Sequence, residues 1–152
     1  MAPMALPQER ISEDLKAAMK ARDAERTSTL RMLLAELKNE RIRAGREVAE
    51  EDFLRVVQKG VKQRQDAAEQ YRAAGRPELA EKEEREAALL GGYLPAQLSE
   101  EEVRRAVEAF VREQGLAGPK DLGKVMQGLL PRFQGQLDGK VLQRIAREAL
   151  GA

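Results

Sequence analysis

The sequence predicts an all-α protein, because apolar residues recur every three or four positions along most of its 152 residues. The alternating pattern of β-strands is sustained nowhere, and the β-branched residues are few and scattered. Glycines and prolines fall mainly between the periodic segments, where helices end and begin. These observations favour two helical domains, an N-terminal long-helix assembly and a small C-terminal three-helix module.

The first two helices are predicted on either side of a short turn. One runs from about Pro7 to Ala21, with proline suited to a first helical turn. Asp23 then has the character of an N-cap, and the second helix reaches about Ala44, where Gly45 supplies a left-handed stop. Their predicted apolar faces consist of Ile11, Leu15, Ala18, Met19, Leu30, Leu33, Leu34, Leu37 and Ile42.

Two further helices complete the N-terminal domain. A third is predicted over residues 50 to 74 and ends before Gly75, and Pro77 begins a fourth, acidic helix that reaches Leu90. The predicted apolar positions of the third helix are Phe53, Leu54, Val57, Val61, Ala68 and Tyr71. Long helices with short connections favour antiparallel packing, so residues 1 to 90 are predicted to form a helical bundle.

The pattern breaks at residues 91 to 98, which we predict to be a linker because two glycines and a proline interrupt the helix. Ser99 followed three residues later by Glu102 predicts a capping box and a fresh helix, which Gly115 would end. The predicted core face of this fifth helix carries Val103, Val107, Phe110 and Val111.

The sixth and seventh helices complete a C-terminal domain over residues 99 to 152. The sixth is predicted from about Pro119 to Leu130, and Pro131 would end it. Asp138 is the predicted N-cap of the seventh. The predicted core positions are Leu122, Val125, Met126, Leu129, Leu130, Val141, Leu142, Ile145 and Leu150.

The composition excludes much enzyme chemistry, since the chain has no histidine and no cysteine. Ser-His-Asp and Cys-His sites, the usual structural zinc sites and the HExxH zinc proteases all need one of these residues. The acidic run at residues 78 to 90 has mixed charge at helical spacing, which is typical of a solvated helix face. We therefore expect no catalytic residue, no metal and no cofactor in this chain alone.

Charge and hydropathy predict a soluble cytoplasmic protein with no membrane segment. The 27 Lys and Arg residues nearly cancel the 26 Asp and Glu residues, so global charge indicates no partner. No apolar run of about 18 residues occurs, as a membrane helix would need. The start "MAPMALPQER" lacks the cationic region and long apolar stretch of a signal peptide.

Residues 118 to 140, "GPKDLGKVMQGLLPRFQGQLDGK", hold five of the twelve glycines and first suggest a phosphate-binding loop. A nucleotide P-loop needs four residues before its Gly-Lys pair, a following Ser or Thr, and a preceding strand. "GQLDGKV" has three intervening residues, then valine, and no strand. Gly123 and Gly128 lie inside a predicted helix at a cost of about 1 kcal/mol each. Each should mark the close approach of a packed neighbour or of a ligand.

The C-terminal segment also has a local basic excess, with six basic and three acidic residues at positions 116 to 152. Lys140, Arg144 and Arg147 fall on one side of the predicted helix, and Lys140 lies at its N-terminus, where free amides favour an anion. This is either a phosphate-contacting surface or an ordinary solvated face. With five aromatic residues in the whole chain, structured RNA fits better than a stacked single strand.

The residues of this segment resemble the GatB/YqeY family. The resemblance rests on "GKVMQGLLP" and "GQLDGKVLQRIAREAL", with "LGGYLPAQLSEEEV" and "STLRMLLAELKNERI" before them, and covers nearly the full chain. The chain resembles a stand-alone YqeY-type protein more than the large amidotransferase subunit, whose catalytic part would need several hundred more residues.

The resemblance implies that the C-terminal module corresponds to the tail domain of the amidotransferase B subunit, which holds the outer corner of a tRNA. The family is associated with carbon-nitrogen ligase activity with glutamine as amido donor, and an amidotransferase is the implied protein partner. By position, the implied RNA contacts are Gly123, Lys124, Gly139 and Lys140, and the charge argument adds Arg144 and Arg147. A tRNA-binding accessory protein is thus the leading hypothesis. The alternative is a helical protein-interaction adaptor built on residues 22 to 90.

Overall fold

A computed structural model describes residues 6 to 151, and this part of the chain is helical with no strand. Seven α-helices follow one another, and a short 3-10 turn at Pro119–Asp121 precedes the sixth. The all-α prediction is therefore confirmed. The helices are α1 (Pro7–Lys20), α2 (Ala24–Ala44), α3 (Glu50–Ala73), α4 (Pro77–Gly91), α5 (Glu100–Gln114), α6 (Leu122–Leu129) and α7 (Gly139–Ala149).

The chain separates into two compact units, which we call unit 1 (Met1–Leu94) and unit 2 (Pro95–Ala152). Each unit has a hydrophobic core of its own. The core of unit 1 includes Ile11, Leu30, Leu37, Phe53, Val57 and Leu90, and that of unit 2 includes Val103, Val107, Val125, Leu129, Leu142 and Ile145. The independent folding of the predicted domains, residues 1 to 90 and 99 to 152, stays a prediction.

Both halves of the predicted linker, residues 91 to 98, belong to packed structure. In unit 1, the Tyr93 ring packs edge-on against Phe53 with 6.1 Å between ring centroids, and the Tyr93 hydroxyl donates to Asp14 at 2.5 Å. Burial and the Asp14 carboxylate together raise the pKa of the Tyr93 hydroxyl. In unit 2, the Gln97 side-chain amide donates to the carbonyl oxygen of Gly135 at 2.6 Å.

The helices α3 and α4 of unit 1 form a hairpin, as their short connection predicts. Three contacts join α3 to α4: the Arg64–Glu86 ion pair at 3.2 Å, the Arg72–Glu84 ion pair at 2.8 Å, and the approach of Leu90 to Gly60. In these contacts, later residues of α3 meet earlier residues of α4, so the two helices are antiparallel. The connections within unit 1 have three residues between α1 and α2, five between α2 and α3, and three between α3 and α4.

The predicted helix ends are confirmed by their capping geometry. The side chains of Asp23, Ser99 and Asp138 each accept a hydrogen bond from a backbone amide two or three residues later, at 3.0, 3.1 and 2.9 Å. Gly45 and Gly115 follow α2 and α5 with φ of 70° and 63°, the left-handed conformation that glycine adopts at least cost. The sequence therefore places most boundaries to within a few residues.

The predicted burial is wrong for three residues: Met19, Ile42 and Leu130 are 49%, 79% and 40% exposed. At about 100° per residue, Ile42 lies about 140° around the helix from the buried Leu37, and Leu130 lies about 140° from the buried Val125. Met19 is displaced by about 100° from its buried neighbour in α1. The predicted start of the sixth helix is also displaced, because residues 119 to 121 form the 3-10 turn.

The two glycines inside α6 have different surroundings. A Cβ atom built on Gly128 would lie 2.4 Å from Cζ of Phe110, so the aromatic ring of α5 occupies the space that a side chain would need. A Cβ built on Gly123 would meet nothing within 4 Å among the described residues. Packing thus explains Gly128, as one of the two alternatives predicted, and leaves Gly123 unexplained.

We predict that Gly128→Ala destabilises the protein by about 1–2 kcal/mol. Overpacking costs about 1–3 kcal/mol, and a methyl group this close to the ring falls in the upper part of that range, about 2–3 kcal/mol, of which the better helix propensity of alanine returns about 1 kcal/mol. Urea unfolding followed by circular dichroism measures the change. In a Phe110→Leu background the same substitution should cost less, because the ring that it meets is gone. A Gly128→Ala protein as stable as the parent would contradict the packing explanation.

Asp52 is a buried carboxylate in the first turn of α3, with its side chain 4% exposed. It accepts a hydrogen bond from the backbone amide of Ala49 at 3.1 Å and pairs with Arg46 at 2.8 Å and with Arg55. Burial alone would raise the pKa of Asp52, but the Ala49 amide and the two guanidinium groups hold it below its usual value. The ionised carboxylate therefore stabilises the start of α3.

We predict that Asp52→Asn lowers the free energy of unfolding at pH 7 by about 1–3 kcal/mol, since hydrogen bonds to a charged group are lost. Because the pKa of Asp52 is depressed on folding, its contribution is complete above its unfolded-state pKa and is lost as the pH falls through the folded-state pKa. The difference between the two proteins should therefore shrink below about pH 4. Urea titrations at pH 7 and pH 3 measure it, and an equal difference at both values would refute the assignment.

Candidate nucleic-acid interface

The basic residues of α7 form one exposed row, as the spacing predicts. Lys140, Arg144 and Arg147 are all exposed and lie at positions i, i+4 and i+7 of the helix. The opposite face packs into the core of unit 2, through Leu142, Ile145, Ala146 and Leu150. The burial of this apolar face therefore sets the direction in which the basic row points.

Arg144 is held in ion pairs with other side chains of unit 2. Its guanidinium lies 2.5 Å from a Glu100 carboxylate oxygen and 3.4 Å from one of Glu148. Arg104 of α5 pairs with Glu148 at 2.9 Å, and this hydrogen bond, with the charge of both arginines, lowers the pKa of Glu148. Arg144 thus joins α7 to α5, and its charge is already compensated by carboxylates. The Arg144 side chain is nevertheless 47% exposed, so its role in phosphate contact stays a prediction.

The N-terminus of α7 is less open to an anion than the sequence suggests. The Asp138 carboxylate accepts from the backbone amide of Lys140 at 2.9 Å, so the amide predicted to be free is occupied. The Lys140 side chain is exposed, and the first turn of α7 contains no acidic residue. A cation near the positive end of a helix dipole is unfavourable by itself, and a bound anion would offset that cost.

Lys124 lies in the first turn of α6 with its side chain 68% exposed. Its ammonium is 3.5 Å from the carboxylate of Asp121, which also accepts from the Ala117 amide at 3.0 Å. That amide and the charge of Lys124 lower the pKa of Asp121. Because an ion pair exposed on one side contributes little stability, a phosphate could replace this contact at small cost.

The two glycines beside these lysines differ in their surroundings. Gly123 is exposed, with open space where a side chain would project. A Cβ on Gly139 would lie 3.7 Å from Cδ1 of Leu130, which is an ordinary contact, so close packing does not require glycine there. The same contact brings the end of α6 against the start of α7. Lys124 lies six residues before Leu130, about 9 Å along the helix axis at 1.5 Å per residue.

The surface suits binding of an anion better than group transfer, because it combines cations with exposed glycine backbone. The chain contains no His or Cys, and residues 6 to 151 hold no group of three or more acidic residues placed to bind a metal ion. Within the same residues, no helix is long and apolar enough to cross a membrane.

Two carboxylates of this surface were missed by the sequence analysis. Asp121 lies three residues before Lys124 and Glu148 lies four residues after Arg144, both at the spacing of helical ion pairs. Counting those pairs in the sequence would have found them. The third contact, from Arg144 to Glu100, joins residues 44 apart and has no local signal.

Comparisons with known proteins find relatives that match between 59% and 94% of this chain. A curated protein of Schizosaccharomyces pombe, named only as uncharacterized, is 37% identical over 89 residues, which cover 59% of this chain and 72% of that protein. The protein of Clavispora lusitaniae named altered inheritance of mitochondria protein 41, mitochondrial, is 35% identical over 103 residues, or 66% of this chain and 59% of its own length. The protein of the same name in Pyrenophora tritici-repentis is 28% identical over 148 residues, or 94% and 80%.

A family model described as Yqey-like protein matches residues 8–150, which include all seven helices apart from the first residue of α1. This match spans both units and every motif on which the resemblance rests. The chain therefore belongs to the YqeY family, as its glycine and lysine motifs predict.

Proposed function

We propose that this chain is a tRNA-binding accessory protein related to tRNA-dependent amidation, and that unit 2 carries the RNA-binding surface. The observation that carries the proposal is the pairing of an exposed lysine with a preceding glycine at the start of two helices. These pairs are Gly123 with Lys124 and Gly139 with Lys140. Arg147 extends the surface along α7, whereas Arg144 supports it through its ion pairs with α5.

Such a surface would recognise the RNA backbone rather than its bases. Ammonium groups on flexible side chains bind phosphate as point charges, and an open glycine lets a ribose or phosphate approach the helix backbone. Contacts of this kind position a folded RNA without reading its sequence. The local excess of three positive charges at residues 116 to 152 would supply the salt-dependent part of the affinity.

The proposal assigns no catalytic step to this chain. Glutamine-dependent carbon-nitrogen ligase chemistry would belong to an amidotransferase or another tRNA-processing partner, and this chain would hold or deliver the RNA. A cytoplasmic location is part of the same proposal. It applies to this chain, whereas the fungal relatives carry the word mitochondrial in their names.

A helical adaptor that binds a protein is the second candidate, and one observation on unit 1 favours it. Met19, Met32 and Ile42 expose 49%, 53% and 79% of their surface. Large apolar side chains exposed along two neighbouring helices are a common property of protein-binding surfaces. The two functions are compatible, since the residues that support them lie in different units.

We predict that Lys124→Glu and Lys140→Glu each weaken the binding of total tRNA by about tenfold at low salt, because each removes a phosphate contact and adds repulsion. Each should also reduce the slope of log affinity against log salt concentration by about 1. Fluorescence titrations of the full chain across a series of salt concentrations measure both quantities.

Charge reversal at Lys38 on the exposed side of α2 is the matched control, and Lys38→Glu should leave tRNA affinity unchanged. Arg147→Ala should weaken binding moderately, whereas Arg144→Ala should lower stability more than affinity, because its ion pairs join α5 to α7. Absence of tRNA binding at low salt would refute the proposal. Equal weakening by Lys38→Glu would assign the binding to general charge instead of this surface.

A second prediction uses Gly123, whose position no packing contact explains. Gly123→Ala should stabilise the protein by about 0.5–1 kcal/mol through better helix propensity. If the RNA approaches the backbone here, the added methyl group should also weaken tRNA binding by about fivefold. Urea unfolding and the same titration measure the two effects on one protein. A gain in stability with unchanged affinity would remove Gly123 from the interface.

A further inference from the structure

Unit 1 carries two adjoining cavities along α2. One of about 540 Å³ lies between α2 and α3, and the other of about 520 Å³ lies at the turn between α1 and α2. Met32 lines both, but at about 100° per residue the α2 residues of the two cavities centre on faces of the helix about 110° apart, so the cavities are separate. We call the second cavity the trough, and the residues of α2 that line it extend from Ala24 to Met32, about 12 Å along the helix axis at 1.5 Å per residue.

The trough has an apolar floor formed by two half-exposed methionines. Met19 and Met32 are 49% and 53% exposed. The sulfur of Met19 lies 3.9 Å from a guanidinium nitrogen of Arg31, and that of Met32 lies 3.7 Å from one of Arg64. Methionine side chains are flexible and polarizable, so they adapt to apolar side chains of different shapes. The floor therefore suits apolar anchors of a partner.

The walls of the trough are basic, although residues 1 to 96 carry 18 basic and 18 acidic side chains. Three of the four cations that line the first cavity are already paired, Arg43 with Glu40, Arg55 with Asp52 and Arg64 with Glu86. The cavity at the α1–α2 turn has Arg22 and Arg31 in its lining and no carboxylate. A ligand that fills the trough would thus gain from negative charge beside its apolar groups.

We propose that the trough docks an acidic amphipathic helix of a protein partner. Its apolar side chains would rest on Met19 and Met32, and its carboxylates would pair with Arg22 and Arg31. The trough spans about two turns of such a helix, at 5.4 Å per turn. In this mode of recognition, apolar residues that recur every three or four positions of the helix bind in a groove. The inference is independent of RNA binding by unit 2.

Two other occupants fit the trough less well. RNA would place phosphates and riboses on thioether side chains, which offer weak acceptors and no aromatic surface for stacking. A second copy of this chain would need an exposed acidic amphipathic helix. Its acidic helix, α4, already buries its apolar residues Ala80, Ala87 and Leu90 within unit 1.

The test uses the full chain and two labelled synthetic peptides of about 18 residues, long enough for five helical turns. Both carry leucine at every third or fourth position, one with glutamate on the flanks and the other with lysine. Fluorescence anisotropy should show binding of the glutamate peptide and about tenfold weaker or no binding of the lysine peptide. Similar binding of both peptides, or binding of neither, would overturn the proposal.

Substitutions then locate the site, each with a control on the same helix. Arg31→Glu and Met32→Lys should each weaken binding of the glutamate peptide by about tenfold. Lys38→Glu and Ala35→Lys change exposed residues of α2 that line neither cavity, and should leave binding within about twofold. Circular dichroism verifies that each variant is folded. Equal losses in the controls would show that the peptide binds elsewhere.

Two further outcomes would overturn the proposal in favour of another occupant. Sedimentation of the same proteins tests for self-association, and self-association that Met32→Lys abolishes would assign the trough to a second copy. Loss of tRNA affinity in Arg31→Glu, without competition by the peptide, would assign it to RNA. Lys124→Glu and Lys140→Glu should leave peptide binding unchanged, so failure here is distinguishable from failure of the RNA proposal.

Discussion

The contact between the Phe110 ring and the backbone of Gly128 sets the geometry of unit 2. It presses α6 against α5 without an intervening side chain, so Val125 and Leu129 turn towards the core. Gly123 and Lys124 are left exposed. Lys124 lies one turn before Gly128, about 40° from it around the helix, so this candidate RNA-binding residue lies beside the close approach. A bulkier contact at this point would displace it.

Two arginines of unit 2 have a different electrostatic role from the lysines of α6 and α7. Arg104 and Arg144 join α5 and α7 through Glu100 and Glu148, as suits a planar group with several fixed donors. The lysines of α6 and α7 are exposed at helix starts, where a flexible ammonium can reach a phosphate. Charge counting alone treats all of these residues as one basic surface. The ion pairs show which of the cations are already engaged within the fold.

Much of the fold follows from local sequence, because helix ends depend on residues within one turn. Asp23, Ser99 and Asp138 act as caps where their sequence context predicts. The prediction for Ile42 fails because this residue lies about 140° around α2 from the buried Leu37, outside the buried face of the helix. The candidate site likewise has residues that the local sequence identifies and residues whose roles it does not predict. Its lysines are recognisable from motifs, whereas the roles of Gly123 and Gly128 depend on which helix packs against each one.

The ion-pair network that joins α5 to α7 has a consequence for the behaviour of unit 2 on heating. The cost of removing water from charged groups falls as the temperature rises, while the hydrophobic contribution per unit of area levels off. The relative weight of the bonds from Glu148 to Arg104 and Arg144 should therefore increase with temperature. The ion pairs between α7, which carries the basic row, and α5 should therefore contribute a larger share of the stability of unit 2 at high temperature.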